Sequence, residues 1–440
     1  MSDVKGFSNT TSARAVNTPP KGWEVKSLAD ISTFIMGQAP LGSDCNKDNI
    51  GIPFVKAGEF STSYPVIREW TTSPLKFAEL GDVLICVVGA TAGKLNLGIN
   101  CAIGRSVAAI RPSSKTTTHY LYNFMLQHVE TLRGGSSGSA QGVITREHLK
   151  DIIAPIPPLP EQQKIAAILS SVDEVIERTQ AQINKLKDLK TGMMQELLSP
   201  REGQATNINN PQGESKNGLH HTEFKDSPLG RIPVGWEVDT LDILGLKILD
   251  GDRGSEYPKE KDFNPSGYCL FLSAKNVTKN GFKFNEKAFI TIEKDNALRK
   301  GKLVRGDIVI TTRGTVGNIV HYDKSIPFEN IRINSGMAIL RNEICDIDTN
   351  YLLLVLTSPL VSEQIKLMAF GSAQPQLTIG VLKNLIIPMP SFGEQIEIAK
   401  AIDSVKNKLL IAEARLQKII HSKKALMQDL LTGKVRVNVD

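Results

Sequence analysis

Two long amphipathic segments dominate the pattern of apolar and polar residues along the chain. Residues 161–198 and residues 394–431 align without a gap, and the second copy lies 233 positions after the first (Glu161 and Glu394). In each copy apolar residues recur at alternating intervals of four and three, the 3.5-residue repeat of a helix packed along another long helix. The pattern predicts a seam formed by Ile165, Leu169, Val172, Ile176, Ile183, Leu186, Met193, Leu197, Ile398, Ile402, Val405, Leu409, Leu416, Ile419, Leu426 and Leu430.

The predicted helices are long enough to act as a spacer. From Ile165 to Leu197 the seam spans about 48 Å at the ~1.5 Å rise of an α-helix. Neither stripe can be buried alone, so each is the natural partner of the other, and the intervening chain leaves room for an antiparallel arrangement. One such helix would be an ordinary core helix. Two matching copies favour a spacer between two other parts of the molecule.

The duplication extends beyond the helices. The phrase PPKGWEV at 19–25 returns as IPVGWEV at 232–238. Three further pairs follow in the same order: GDVLI at 81–85 and GDIVI at 306–310, ATAGK at 90–94 and GTVGN at 314–318, and GSAQ at 138–141 and 371–374. The offset grows from 213 (Trp23 and Trp236) to 233, so the non-helical parts differ by insertions placed before the long helices.

Short β-branched and apolar runs bounded by Gly, Pro, Asn and Asp fill each non-helical part, which is typical of strands and hairpins. Helical stretches are predicted at 120–132 and 351–368. The fold class is therefore α+β: two mixed α/β domains joined by two long antiparallel coiled-coil-like helices, an internal tandem repeat with pseudo-twofold symmetry. The predicted order is a flexible arm at 1–18, domain 1 at 19–157, long helix 1 at 158–199, a polar linker at 200–230, domain 2 at 231–390, and long helix 2 with a C-terminal tail at 391–440.

Composition narrows the class of protein. A chain of 440 residues is too long for one core and suggests two or more domains. No apolar run approaches the ~20 residues that span a bilayer, and the N-terminal residues have no apolar signal region. Five scattered cysteines without CxxC spacing favour a reduced, cytoplasmic chain without structural zinc. A net charge of +6 permits a polyanionic partner.

Motifs for catalysis are absent from the sequence. In VGATAGKL at 88–95, three residues separate Gly89 from Gly93 and Leu95 follows the lysine, whereas a phosphate-binding loop needs four residues and then a hydroxyl. The seven histidines never fall at HExxH spacing, and His220 and His221 lie in the predicted linker, where a solvated surface role is expected. We predict a non-catalytic chain. A duplicated nuclease or ATPase and a coiled-coil adaptor with two protein-binding heads remain as alternatives.

Polar, cationic loops recur in the two domains and are the candidates for DNA contact. Arginine and lysine pair with guanine O6 and N7, asparagine and glutamine with adenine N6 and N7, and glycine-rich turns let the backbone approach phosphate. Any one of these side chains could be an ordinary solvated charge, so the set is more informative than its members. The candidates are Thr91, Lys94, Arg105, Arg111, Gln141 and Arg146 in the first domain, and Arg253, Arg313, Thr315, Asn318, Arg332 and Gln374 in the second.

The sequence resembles the specificity subunit of type I restriction-modification enzymes. The resemblance rests on the repeated GWEV openings, the Gly-Asp strands with their glycine turns, GSAQ before each long helix, PIPPLPEQQKIAAIL at 155–169 and LMQDLLTGKVRV at 426–437, and it spans nearly everything from Pro19 onward. One departure is Ser391-Phe392-Gly393 in place of Pro158-Leu159-Pro160, which leaves open a different entry to the second helix.

The resemblance implies two target-recognition domains, each reading a few base pairs of a split double-stranded DNA site and held apart by the paired helices. It also implies two modification subunits, which methylate adenine N6 with S-adenosylmethionine, and ATP-driven restriction subunits. No cofactor is expected on this chain, because S-adenosylmethionine, ATP and magnesium belong to those partner subunits. Target-recognition domains are the variable part of the family, so the resemblance assigns no base-contacting residue.

Overall fold

The computed structural model describes residues 19–135, 143–198, 221, 223–343, 346–369 and 376–439. The chain divides into two compact units. Unit 1 contains the residues up to Gln182 together with Ala412–Asp440, and unit 2 contains Ile183–Ile411. Each unit therefore includes a globular domain, the first part of the long helix that follows it, and the last part of the other long helix. The sequence predicts each long helix as a segment separate from the globular domains, whereas each unit contains parts of both long helices.

Unit 1 is built from short strands, the helices of its domain and parts of the two long helices. In chain order its elements are β1 (Glu24–Ser27), α1 (Leu28–Ile31), β2 (Ser32–Met36), β3 (Cys45–Asn46), β4 (Ile52–Val55), β5 (Trp70–Thr71), β6 (Phe77–Ala78), β7 (Val83–Cys86), β8 (Leu95–Leu97), β9 (Cys101–Ile103), β10 (Val107–Pro112), α2 (Thr118–Gly135), α3 (Arg146–Lys150), β11 (Ile153–Ile156) and α4 (Leu159–Leu198). An antiparallel sheet has the order β2-β10-β7-β8, and a second sheet, β3-β5-β4-β9-β6, contains the parallel pair β4 and β9. Strand β1 pairs with β11.

Unit 2 repeats this topology. Its elements are β12 (Phe224–Ser227), β13 (Gly230–Pro233), β14 (Glu237–Thr240), β15 (Lys247–Asp250), β16 (Cys269–Leu272), β17 (Val277–Thr278), β18 (Gly281–Phe282), β19 (Phe289–Ile290), α5 (Ile292–Ala297), β20 (Ile308–Thr311), β21 (Ile319–His321), β22 (Ile331–Ile333), β23 (Met337–Arg341), α6 (Thr349–Leu356), α7 (Pro359–Ala369), α8 (Ile379–Lys383), β24 (Ile386–Met389) and α9 (Phe392–Leu431). The sheet β15-β23-β20-β21 corresponds to β2-β10-β7-β8, and β16 runs parallel to β22 as β4 does to β9. The predicted α+β fold with an internal repeat is confirmed.

Buried apolar residues join each domain to the helix parts in its unit. In unit 1, Trp23, Ile110 and Tyr120 share one core with Leu430 and Leu431 near the end of α9. In unit 2, the core that contains Trp236 and Tyr351 also contains the end of α4, through Met194, Leu197 and Leu198. The amphipathic stripe of each helix is therefore buried partly against a globular domain.

A hydrogen-bonded tryptophan and glutamate recur at the start of each long helix. In unit 1 the indole Nε1 of Trp23 donates to Glu161, 3.0 Å away, and Arg436 donates to both oxygens of the same carboxylate at 2.6 and 2.8 Å. In unit 2 Trp236 Nε1 donates to Glu394 at 3.0 Å. The GWEV phrase is therefore part of the attachment between each domain and its helix.

Two regions differ from the sequence-based expectation of a polar linker with solvated histidines. Residues 224–227 and 230–233 form the hairpin β12-β13, so the predicted linker ends in an ordered segment. His221 is half-buried, and its Nε2 lies 2.8 Å from Glu394 Oε1. The prediction of a solvated surface role is therefore wrong for this histidine. The signal was hidden because the partner carboxylate is 173 residues away in sequence.

The predicted helical stretches are present with altered bounds. Residues 120–132 lie in α2, which is longer at both ends. The stretch 351–368 is two helices, because α6 ends at Leu356 and α7 begins at Pro359, whose ring and missing N–H prevent a continuous helix. The second long helix begins at Phe392, which is 233 positions after Leu159, so both long helices are entered at the same point despite the different residues there.

The seam positions behave as a buried stripe. Of the sixteen residues, nine are buried and seven are half-buried, and none is exposed. Within unit 1, Lys423 of α9 donates to both oxygens of Asp173 in α4, at 2.6 and 2.8 Å, while Arg436, further along the chain, reaches the earlier Glu161. The later residue of the C-terminal segment thus contacts the earlier residue of α4, so these two segments run antiparallel. Among the described residues, every helix is too short or too polar to span a bilayer.

Candidate nucleic-acid interface

Several connections meet at one end of the four-stranded sheet in each unit. In unit 2, β15 and β20 run towards this end and β23 runs away from it, and the N–H groups of Thr312 and Arg313 both donate to the carbonyl of Gly336. In unit 1, the N–H of Val87 donates to Ser106 in the same way. We call this end of each unit the loop face: residues 37–40, 87–94 and 104–106 in unit 1, and residues 251–254, 312–318 and 334–336 in unit 2.

Glycines hold the loop face together at equivalent positions. Gly37 follows β2 and Gly251 follows β15. A Cβ atom at Gly37 would lie 2.2 Å from the carbonyl oxygen of Gly104, and one at Gly251 would lie 2.2 Å from that of Asn334. Because no side chain fits at such distances, both units need glycine where the two connections cross. The backbone of the loop face is therefore a shared framework.

Lys94 and Asn318 make the same framework contact. Lys94 Nζ donates to the carbonyl of Phe60 at 2.8 Å, and Asn318 Nδ2 donates to the carbonyl of Val277 at 2.9 Å. Phe60 and Val277 each follow the short 3-10 turn after the parallel strand, so the two bonds are equivalent. Asn318 is only 6% exposed. The prediction that Asn318 contacts a base is wrong, because its amide lies inside the domain.

Two predicted arginine contacts are also structural. Arg332 is 5% exposed and forms an ion pair with Asp295, and its guanidinium donates to the carbonyls of Lys300 and Leu298 at 2.7 and 3.1 Å. Arg111 binds both oxygens of Asp82 at 2.9 and 3.0 Å. Hydrogen bonds within each domain occupy these guanidinium groups, so Arg332 and Arg111 hold the framework and the predicted base contacts are wrong.

Arg111 has an equivalent that the sequence comparison did not single out. Arg341 binds both oxygens of Asp307, each at 2.8 Å, in the corresponding strands of unit 2. Hydrogen bonding to the buried carboxylate raises the pKa of the guanidinium in both arginines. The Gly-Asp strands GDVLI and GDIVI are therefore explained by this pair.

The remaining candidates are exposed. Thr91, Lys94, Arg105 and Arg146 are exposed in unit 1, and Arg253, Arg313 and Thr315 are exposed in unit 2. Gln141 and Gln374 lie outside the described residues. For all of these, contact with DNA stays a prediction.

The exposed cations differ between the two loop faces. The strand registers show that Arg105 of unit 1 occupies the position that Ser335 occupies in unit 2. Ala108 pairs with Met36 as Ala338 pairs with Asp250 at the equivalent ladder position. In the same way Arg313 stands where unit 1 has Val88, and Arg253 stands where unit 1 has Ala39. The two units thus share a backbone frame and carry different charged side chains on it.

Arg253 and Arg313 are held by neighbours on the loop face of unit 2. Arg253 pairs with Asp250 at 2.9 Å and donates to the carbonyl of Ser335 at 3.3 Å. The amide of Gln376 faces the guanidinium of Arg313, and with its oxygen turned inward it accepts from Nε and Nη2 at 3.2 and 2.9 Å. Ordered arginines of this kind lose less side-chain entropy when they bind a partner.

Sequence reasoning missed Arg68, Arg299 and Gln376. Arg68 is exposed, and its Nη1 donates to the carbonyl of Gly58, 3.4 Å away, beside the loop face of unit 1. Arg299 is exposed beside Gly254 of unit 2. Arg299 lies in a segment that is longer in unit 2 than in unit 1, and Arg68 lies outside the sequence phrases that recur in the two domains, so the repeat gave no signal for them. Gln376 follows the GSAQ phrase by two residues, and its proximity to that repeated phrase is the sequence feature that could have identified it.

No metal-dependent site is built from the described residues. Among them, no group of three or more His, Cys, Asp or Glu side chains could hold a metal ion. The glycine turn that resembled a phosphate loop is a tight 3-10 turn, with Gly89 and Gly93 in the left-handed region at φ 76° and 83°. Its glycines serve the turn itself.

Comparison with known proteins assigns the chain to a family. The model of the type I restriction modification DNA specificity domain matches residues 20–188 and again residues 233–421. The chain belongs to this family. Its two matches coincide with the repeated domains and the greater part of the long helix after each.

Relatives in this family align along almost the whole chain. The specificity subunit of the type I restriction enzyme MjaVIII from Methanocaldococcus jannaschii is 26% identical, and the alignment covers 95% of this chain and 94% of that protein. The specificity subunit of the type I restriction enzyme EcoBI from Escherichia coli is 23% identical, with 91% and 84% covered. These relatives are named as specificity subunits, which supports the prediction of a non-catalytic recognition subunit and neither alternative.

A solved structure shares the fold. The S subunit of the type I restriction-modification system from M. genitalium superposes with a TM-score of 0.57 at 16% identity, covering 95% of this chain and 97% of that one. At this identity the likeness concerns the fold. The type I specificity fold is thus present in this chain with two domains and two long helices.

Proposed function

We propose that this chain is the DNA-reading subunit of a type I restriction-modification complex and that it recognises a bipartite, asymmetric site. One half-site binds the loop face of unit 1 and the other binds the loop face of unit 2. The observation that carries the proposal is the pair of loop faces, which share one backbone frame and differ in their exposed cations. Two unlike readers on one frame suit two unlike half-sites.

Specific roles follow for the exposed arginines. Arg105 in unit 1 and Arg313 in unit 2 project from tight turns, and a guanidinium can form two parallel hydrogen bonds with guanine O6 and N7. Thr91, Thr315 and Arg253 lie on the same loop faces, and we place them as further contacts to bases or phosphates. A net charge of +6 on the chain favours association with the phosphate backbone.

The partners are two modification subunits and the restriction subunits of the complex. Methylation of adenine N6 with S-adenosylmethionine, and ATP- and magnesium-dependent cleavage, would take place on those subunits, and this chain supplies the sequence reading. The long helices would set the distance between the half-sites and offer a docking surface to the modification subunits. Exposed apolar residues along them support that role: Val175, Leu189, Leu410, Ile411 and Ile420 are 39 to 70% exposed.

The test is a pair of single-residue variants in the complex with modification subunits. Arg105→Ala should relax discrimination at one base pair of the first half-site by about 1–3 kcal/mol, the range for a bidentate arginine contact, and leave the second half-site unchanged. Arg313→Ala should do the reverse. Binding is measured on duplexes that carry each single-base change.

Matched controls come from the opposite end of each sheet. Lys115 lies after β10 and Lys324 lies after β21, both exposed, and alanine at either position should leave base discrimination unchanged. The proposal fails if the complex binds all duplexes equally well. It also fails if either arginine variant alters both half-sites.

A further inference from the structure

Unit 2 contains a six-residue insertion beside its loop face. Thr71, which pairs with Ile52, and Ile290, which pairs with Cys269, occupy equivalent ladder positions and are 219 residues apart. At Gly81 and Gly306 the offset is 225. Unit 2 therefore has six additional residues between these positions. The helix α5, Ile292–Ala297, lies in this segment and is also six residues long. The second domain has therefore gained a short helix where the first has a direct connection.

A buried ion pair anchors this insertion. Asp295 of α5 is 0% exposed and binds Arg332 and Lys302. Burial alone would raise the pKa of the Asp295 carboxyl, but the hydrogen bonds from Lys302 and Arg332 outweigh it and lower the pKa. Strand pairing places Arg332 where unit 1 has Ala102. The buried pair and the insertion therefore occur together in unit 2.

The chain after α5 is fixed next to the loop face. The carboxylate of Asp252, itself 5% exposed, accepts from the N–H groups of Arg299 and Lys300 at 2.7 and 3.3 Å, and from that of Gly254 at 2.6 Å. The guanidinium of Arg332 donates to the carbonyl of Lys300 at 2.7 Å. The backbones of two adjacent cationic residues are thus held beside Arg253. Both side chains are exposed, that of Arg299 to 77%, and Arg299 Nη2 lies 3.9 Å from Asp252 Oδ1.

We propose that the insertion is a DNA-binding element particular to unit 2, in which Arg299 and Lys300 contact phosphates beside the second half-site. Asp252, Asp295 and Arg332 are positioning residues that hold this segment. The proposal rests on the proposed function and extends it to a surface that the first unit lacks. Adjacent Arg and Lys side chains on a fixed backbone are suited to phosphate contact. Such contact requires a positive charge at a defined position and does not require hydrogen-bonding groups that match a particular base.

Phosphate contact has a measurable salt signature. Each neutralised phosphate contributes about 0.9 to the slope of log affinity against log salt. In the complex with modification subunits, Arg299→Ala and Lys300→Ala should each reduce the slope by about 0.9 and weaken binding about fivefold at 0.15 M salt. The methylated sequence motif should stay the same. The probe is a duplex that carries that motif, titrated from 0.05 to 0.3 M salt.

Lys324→Ala, at the opposite end of the sheet, is the matched control and should leave the slope unchanged. Unchanged slopes for both Arg299→Ala and Lys300→Ala would overturn the inference. So would a change in the methylated motif, because that would make these side chains base readers. If the wild-type complex shows no preference for the motif duplex, the proposed function itself fails, and this outcome is distinct from the other two.

The positioning role has its own variant. Arg332→Lys keeps the charge of the buried pair but loses the fork that binds the Lys300 carbonyl, whereas Arg332→Gln removes the charge. If Arg332 positions the cations, Arg332→Lys should show a smaller slope than wild type while the thermal midpoint of unfolding falls less than in Arg332→Gln. A slope equal to wild type in Arg332→Lys would assign Arg332 to stability alone.

Discussion

Single buried glutamines show how each domain is fixed to its long helix. The side chain of Gln162 accepts from the N–H of Thr117 and donates to the carbonyls of Lys115 and Pro157. Gln395 repeats the pattern with Asp348, Asp346 and Pro390. Both glutamines are at most 1% exposed, so these three backbone groups have no water to replace a lost partner.

Replacing Gln162 should therefore destabilise unit 1. We expect Gln162→Ala to lower the free energy of unfolding by about 2–3 kcal/mol, because buried backbone groups lose their hydrogen bonds. The neighbouring Gln163 is exposed and Gln163→Ala is the matched control, with an expected change below about 0.5 kcal/mol. Urea denaturation measures both, and equal effects would contradict the role of Gln162.

Cysteine reactivity gives a second prediction at this scale. Burial raises the pKa of Cys86 to about 11, and that of Cys101 and Cys269 to about 12. Because the thiolate is the reactive form, these three should resist alkylation at pH 8 in the folded protein, while the half-buried Cys45 reacts.

Mass spectrometry after iodoacetamide treatment measures the labelling of each cysteine. A Cys345→Ser background restricts the readout to the four described thiols. Labelling of Cys86, Cys101 and Cys269 at the rate of Cys45 would show that these side chains are accessible in the folded state.

At the scale of elements, the long helices were predicted well because their pattern is repeated and regular. The seam has gaps that the apolar pattern left open, and small residues occupy two of them: Thr179 and Ala412, 233 positions apart, are 6% and 7% exposed. Neither residue is strongly apolar, so neither stood out in the sequence. They continue the heptad spacing from Ile176 to Ile183 and from Leu409 to Leu416.

Helix length should set the distance between the half-sites. Removing one heptad from each helix, residues 181–187 and 414–420, keeps the seam in register and shortens each helix by about 10 Å. That length corresponds to about 3 base pairs of duplex at ~3.4 Å each. The gap in the methylated motif should shorten accordingly, with both half-sites retained.

Methylation mapping of cells that carry the shortened chain measures the gap. The matched control replaces the same two segments by alanine-rich heptads of equal length, with the seam residues Ile183, Leu186, Leu416 and Ile419 retained. An unchanged gap in a functional, shortened chain would contradict the role of the helices as a spacer.

At the scale of the whole molecule, the sequence predicted the repeated fold and the family but placed only part of the site. Repeated motifs identify the framework, and Gly37 with Gly251 and Lys94 with Asn318 belong to it. In this chain, polar residues that recur in both domains therefore tend to stabilise the shared backbone, and the residues that differ are the better candidates for contact with bases. Arg332 was misassigned because its partner Asp295 lies in an insertion 37 residues away, which no local pattern connects to it.

The central claim is that this chain reads a split DNA site for a modification complex. The most direct measurement is genome-wide N6-methyladenine mapping at single-base resolution in cells with and without the gene. Deletion should abolish methylation at one asymmetric bipartite motif, and the intact gene should restore it. A methylation map that is unchanged by deletion, in cells that express the modification subunits, would contradict the account.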